Sequence, residues 1–153
     1  VLQSNHHAVS IYSKKGFSVQ REYSVLTASG PGQGWNNHIA VIPYQDFTSF
    51  STRFSVEPSF EHTSYTINQN PQLFEVLYLN DQAYCIYAKR HGEIIQMHYN
   101  ELDALKDVVS ALINRYPPAM AKNIDCACCD VIQMLIDIGF VEITKQYEMA
   151  RTI

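Results

Sequence analysis

A short amphipathic stretch that closes in Gly-Phe occurs twice in this chain. The first copy is Asn5-His6-His7-Ala8-Val9-Ser10-Ile11-Tyr12-Ser13-Lys14-Lys15-Gly16-Phe17, followed by Ser18 to Tyr23. The second is Cys128 to Phe140, followed by Val141 to Tyr147. A shift of 123 positions lays Ala8 on Val131, Ile11 on Met134, Tyr12 on Leu135, Gly16 on Gly139 and Phe17 on Phe140. In each copy the apolar residues recur at helical spacing and form one stripe. Each Gly sits just past its stripe, where a residue able to take positive φ closes a helix at low steric cost. Each Phe then opens a returning strand. The spacing therefore predicts helix, glycine stop and strand, written twice.

The size of the shift bears on domain organisation. In a tandem repeat the shift equals one unit plus its linker, and about 120 residues is an ordinary domain. The second copy closes a unit that fits between the two stretches. The first closes a unit with no room in front of it within these residues. Residues 1–29 are thus expected to be the C-terminal helix and strand of a preceding domain. The cluster Gly30-Pro31-Gly32-Gln33-Gly34 is the clearest breaker in the chain. Residues 30–35 are assigned as a linker and residues 36–153 as a complete second domain. The breaker has the spacing of no phosphate-binding fingerprint.

Bulk properties set limits. A length of 153 residues makes one full domain the default, and 46% hydrophobic residues suffice for a core. A net charge of −4 gives no electrostatic reason to expect nucleic acid or an anionic membrane as partner. No apolar run approaches the length of a membrane span, and no signal-peptide pattern is present. Of four Cys, three are bunched at 126, 128 and 129, unlike a secreted disulfide frame. A reduced, cytoplasmic setting follows, and the composition suits a bacterial one. Ten Tyr and seven Phe beside only 17% charged residues point to strand-rich, half-buried surfaces.

The remaining elements are read from pattern. Residues 5–15 are expected as helix and 17–27 as strand. His38 to Ile42 reads as a strand broken by Pro43. Gln45 to Val56 reads as a helix, with Phe47, Phe50 and Phe54 on one side. Phe60 to Asn68 reads as a short helix capped by Ser59. Leu73 to Leu79, Ala83 to Lys89 and Glu93 to Tyr99 form an antiparallel meander joined by tight turns. Asn100 is expected to cap a strong helix with Leu102, Leu105, Val108, Val109, Leu112 and Ile113 on its apolar face, stopped by Pro117-Pro118. Ala121 to Ala127 is a strand. The second copy of the repeat completes the chain with helix 128–138 and strand 140–150. The fold class is α/β (α+β): a mixed, mostly antiparallel central sheet with helices on both faces.

This order of elements, with the pattern Asn5-x-x-Ala8-x-x-x-Tyr12-x-x-x-Gly16-Phe17, resembles the GNAT superfamily of acetyl-CoA-dependent N-acetyltransferases. The pattern is similar to the family's fourth helix and its entry to the sixth strand. The resemblance implies a tandem GNAT protein whose first domain ends in residues 1–29 and whose second fills residues 36–153. It implies acetyl-CoA as cofactor, a small-molecule or peptide amine as acceptor, Asn5 as a contact to the cofactor arm, and Tyr12 as proton donor to the departing thiolate. Three and seven steps along a helix return to nearly the same direction, so Asn5, Ala8 and Tyr12 share a face. An ordinary tyrosine, with a pKa of about 10, is protonated at neutral pH and can serve as such a donor. The competing readings are a helix cap for Asn5 and a core residue for Tyr12.

The second domain departs from the family pattern. The family's pyrophosphate loop, Gln/Arg-x-x-Gly-x-Gly/Ala, should fall within Gln96 to Ala104, where there is no Gly. Backbone N–H groups cannot approach an anion closely past side chains. Glu101 and Asp103 place negative charge at the helix start, which suits a helix but repels phosphate. The second copy of the repeat also has Leu135 in place of Tyr12. This chain is therefore expected not to bind acetyl-CoA by itself and to be inactive alone. The alternative is a non-catalytic GNAT-like module for partner or substrate binding. Because one helix and one strand cannot bury a core, residues 1–29 should dock on the second domain or mediate a homodimer.

Other chemistry is less favoured. Cys126, Cys128 and Cys129 lack the separated pairs of a zinc site and read as small hydrophobes, with no metal expected. A lowered thiol pKa at the helix start is the one redox option for Cys128 or Cys129. Trp35 reads as a linker pin, and Glu61 as an ordinary surface acid.

Overall fold

The computed structural model describes residues 1–31, 34, 38–47 and 55–152. In chain order these form α1 (His6–Lys14), β1 (Ser18–Ala28), β2 (Ala40–Pro43), α2 (Ser64–Gln69), β3 (Phe74–Leu79), β4 (Ala83–Ala88), β5 (Glu93–Tyr99), α3 (Leu102–Arg115), β6 (Ala119–Asp125), α4 (Cys129–Asp137) and β7 (Val141–Ala150). Short 3-10 turns occupy Tyr44–Asp46, Phe60–His62 and Pro71–Leu73. The strands make one seven-stranded sheet in the order β2-β3-β4-β5-β6-β1-β7. All neighbours are antiparallel except β5 and β6. No described helix is long and apolar enough to cross a membrane.

The sheet is covered on both faces, because its central strands alternate apolar residues to either side. On one face α3 buries Leu105, Val108, Val109 and Leu112, and α4 adds Val131 and Leu135. Leu77 and Cys85 meet them from the sheet. On the other face Ile67 of α2 packs with Val76, Tyr84 and Ile86. Each fully buried aliphatic side chain contributes about 1.5–3 kcal/mol, so α3 anchors the larger core. α3 ends at Arg115 because Tyr116 precedes Pro117 and is held out of helical geometry.

The repeat is a structural fact down to single hydrogen bonds. α1 and α4 have the same length, and their bounds differ by the sequence shift. Their N-caps share a backbone, with φ −85°, ψ 68° at Asn5 and φ −85°, ψ 61° at Cys128. Gly16 and Gly139 both take positive φ, 84° and 105°. Phe17 N donates to Tyr12 O at 3.0 Å, and Phe140 N to Leu135 O at 3.0 Å. Gly16 N donates to Ser13 O, and Gly139 N to Ile136 O, both at 3.0 Å.

Residues 1–29 do not hang off the sheet. β1 lies inside it, antiparallel to β6 on one side and to β7 on the other. Local pattern is silent on which strands become neighbours, so the position of β1 was not legible beforehand.

Several local expectations are corrected. Asn100 does not cap α3: Glu101 occupies that position without a side-chain cap bond, while Asn100 Nδ2 donates to Asp81 O at 2.6 Å. A cap would have needed the Asn100 amide oxygen as acceptor, whereas the side chain is held to the adjacent turn through its Nδ2 donor. Ser59 caps no α-helix: Thr63 does, its Oγ1 accepting from Thr66 N at 3.4 Å. Phe60 to Asn68 is accordingly split into a 3-10 turn and a helix. Tyr44–Asp46 is a 3-10 turn rather than α-helix. Phe47 is extended and Ser55 and Val56 lie in a bend, so they are not helical either. Residues 48–54, Phe50 and Phe54 among them, lie outside the described residues, as does Trp35.

Candidate active site

The N-cap geometry of α1 decides where its first functional candidate points its oxygen. Asn5 Oδ1 accepts from Ala8 N at 3.0 Å, so the capping role is real. Nothing in α1 is buried. Tyr12 is 43% exposed and meets Phe17 edge to face, with ring centroids 5.8 Å apart. It is therefore not a core residue within these residues. Asn5, Ala8 and Tyr12 line one open cleft of about 480 Å³.

The opposite wall of that cleft comes from distant parts of the chain: Ser59 to Glu61, Asn123 of β6, Tyr23 of β1, and Gln146 to Met149 of β7. Two buried side-chain polar atoms among the described residues lack a hydrogen-bond partner, Tyr23 Oη and Asn123 Oδ1. Both residues border the cleft. Asn123 sits at φ 56°, a left-handed conformation inside a strand, which costs a non-glycine residue about 1 kcal/mol or more. Its Nδ2 donates to Ser59 Oγ at 3.3 Å and to Glu61 Oε2 at 3.4 Å. Burial, reinforced by Glu148, pushes the Tyr23 phenol well above the usual tyrosine range, so it remains a hydroxyl donor. Glu148 Oε2 is itself taken by Arg21 Nε at 2.6 Å. Sequence pattern missed Tyr23, Asn123 and Glu61, because only long-range folding brings them beside α1.

The corresponding region of residues 36–153 is closed. β5 and β6 pair only at Glu93–Met120 and Ile94–Ala121. Beyond that point residues 55–62 are laced onto β5. Gln96 Nε2 donates to His62 O at 2.6 Å, and Ser55 Oγ donates to Tyr99 O at 2.9 Å. Just two residues separate β5 from α3, and Glu101 and Asp103 stand at the helix start. Across this junction Tyr99 Oη donates to Asp130 Oδ2 of α4 at 2.9 Å. Burial, then Asp130, push the Tyr99 phenol up to about 12, so the bond keeps its donor through the neutral range.

The cysteines supply no alternative centre. All four are free, and no described group of His, Cys, Asp and Glu is arranged to hold a metal. The idea of a lowered thiol pKa fails at Cys128. Burial foremost, then Asp125 and Asp130, push that thiol up. Cys129 is exposed at the helix start. His98 is buried on β5, its Nδ1 3.1 Å from Ser55 Oγ and its ring beside Tyr84, with no opening to the α1 cleft.

No protein-family profile matches the chain, and no curated protein sequence matches it. Solved structures do. A presumptive acetyltransferase from Pyrococcus horikoshii is similar with a TM-score of 0.73 at 8% identity, over 97% of this chain and 51% of that one. A GCN5-related N-acetyltransferase from Sphaerobacter thermophilus is similar with a TM-score of 0.54 at 12% identity, over 99% of this chain and 59% of that one. At such identities the likeness concerns the fold. The mixed, mostly antiparallel sheet with helices on both faces is the fold of those acetyltransferases, and the chain spans between half and three-fifths of their length.

Proposed function

We propose that this chain is the later portion of a two-unit, acetyl-CoA-dependent N-acetyltransferase, with α1 and β1 closing the first, catalytic unit. The observation that carries the reading is the placement of Asn5, Ala8 and Tyr12 on one face of α1, all bordering a single open cleft. Acetyl-CoA supplies the acetyl group for an amine acceptor, a small molecule or a peptide. Tyr12 presents an exposed phenol hydroxyl to the cleft, placed to donate to a leaving thiolate. Asn5 fixes the start of α1 through its cap and thereby sets the angle at which Tyr12 meets the cleft.

The later unit does not fit acetyl-CoA. The junction between β5 and α3 carries Glu101 and Asp103 and no glycine, and the Tyr99–Asp130 bond spans it. No step is assigned to it. Its role is that of a non-catalytic module that walls the acceptor cleft, supported by Ser59, Glu61 and Asn123 bordering the same space as Tyr12.

Two measurements test this. Residues 1–153 titrated with acetyl-CoA by calorimetry should show no binding; tight binding here overturns the silent later unit. In the natural polypeptide extending upstream of Val1, Tyr12→Phe should lower kcat about 10²-fold or more with little change in KM. An unchanged kcat removes Tyr12 from the chemistry.

A further inference from the structure

The ladder between β1 and β7 is symmetric about its own centre. Tyr23 faces Gln146, and these two are images of each other under the 123-position shift. On either side, Glu22 faces Tyr147 while Ser24 faces Lys145, and Arg21 faces Glu148 while Val25 faces Thr144. Each pair is the image of its mate, so a local two-fold passes between the strands.

The symmetry extends one strand further on both sides. β6 places Asp125 opposite Tyr23, and Cys126 N donates to Glu22 O at 2.9 Å. The images of these contacts also exist: Leu2 bridges Gln146, and Gln3 N donates to Lys145 O at 3.0 Å. Residues 1–3 stand to β7 as residues 124–126 stand to β1. Beyond that the two sides part. β6 continues along β1 until Ala119 faces Ala28. β7 is the last strand of the sheet, and the stretch from Glu148 to Ala150 has no described strand on its outer side.

The helices part in the same way. Met134 of α4 is 5% exposed, whereas its image Ile11 is 45% exposed. Val131 is fully buried, and its image Ala8 borders the open cleft. An antiparallel strand edge and an apolar helix face thus lie open on one side of a two-fold whose other side is filled.

We infer that the free edge of β7 and the apolar face of α1 receive a second unit of this same fold, joined through Val1. Its last parallel strand runs into residues 1–3 as β6 runs into residues 124–126. Its counterpart of α3 covers Ile11 as α3 and its neighbours cover Met134. The register is fixed by the symmetry: the third residue before Val1 faces Met149, as Ala121 faces Leu26. The two units then share one continuous sheet through exchanged terminal strands. The inference rests on the two-unit reading above, but it involves no acetyl transfer.

The test compares residues 1–153 with the natural polypeptide extending upstream of Val1. Ile11→Cys and, as control, Ser10→Cys are labelled with a maleimide and followed by peptide mass spectrometry. Ile11→Cys should label about tenfold or more slowly in the longer polypeptide, with Ser10→Cys unchanged. Amide exchange at Met149, measured on the unaltered sequences, should slow in parallel. Equal rates at both sites overturn the inference. Slowing that appears only as protein concentration rises assigns the surface to another copy of the chain and overturns it too. Because no acetyl-CoA is present, a negative result here is distinct from a failure of the Tyr12 chemistry.

Discussion

α1 and α4 have nearly the same backbone and opposite surroundings. Both run nine residues, both start from the same cap geometry, and both close on a left-handed glycine. Yet α4 buries Val131, Met134 and Leu135, while α1 buries nothing. The stop signals therefore dictate the shape of each copy without help from the core. What the core adds is energy, and only one copy receives it here.

The sharpest way to break this comparison is to truncate matched positions. Met134→Ala should cost about 2–5 kcal/mol, whereas Ile11→Ala should stay within about 0.5 kcal/mol, read by urea denaturation of residues 1–153. Similar costs would mean that α1 is supported by contacts absent from the structure. The glycines sharpen the comparison from the other direction. A Cβ on Gly139 meets nothing within 4 Å, and on Gly16 its nearest neighbour is Arg151 Cδ at 3.4 Å. Backbone strain alone remains, so Gly16→Ala and Gly139→Ala should each cost about 1–2 kcal/mol despite their different burial. A neutral result at either site would deny that the glycine stop is needed.

The smallest effect concerns an ion pair between β1 and β7 that the local two-fold does not repeat. Arg21 and Glu148 pair at 2.6 Å, while the symmetric pair, Val25 and Thr144, carries no charge. Burial acts to raise the Glu148 carboxyl, but the Arg21 guanidinium, the nearby Tyr23 hydroxyl and the Phe60 backbone together outweigh it and hold the group below its usual range. A carboxyl lowered by folding stabilises above its unfolded pKa, and that contribution is lost as pH falls through the folded value. Glu148→Gln should therefore cost about 1 kcal/mol at neutral pH, with the difference shrinking below about pH 4. Thr144→Val should show no such pH dependence. A penalty for Glu148→Gln that persists in acid would point to packing rather than charge.

The parts of the fold that were legible in sequence are those set by neighbours a few residues apart. The paired Gly-Phe stops, the three-strand meander and the apolar stripe of α3 all follow from local spacing and turn chemistry. Caps were less legible, because Asn100 and Ser59 each had a competing tertiary partner. The insertion of β1 between β6 and β7 left no local trace, since strand order is decided by which edges meet. Of the cleft, the α1 face was readable from helical spacing. Tyr23 and Asn123 were not, because their significance lies in unpaired buried atoms that exist only once the chain is folded.

The place of β1 has a bearing on how the protein can be cut. A strand with neighbours on both edges is a keystone rather than a trim piece. Nicking the backbone within residues 30–34 should leave two fragments clasped in a single particle, since 11 residues of β1 still bridge β6 and β7. Deleting Ser18 to Ala28, by contrast, cuts β7 off from β6 and from the rest of the sheet. The breaker cluster separates β1 from β2 in sequence, while both strands belong to one sheet.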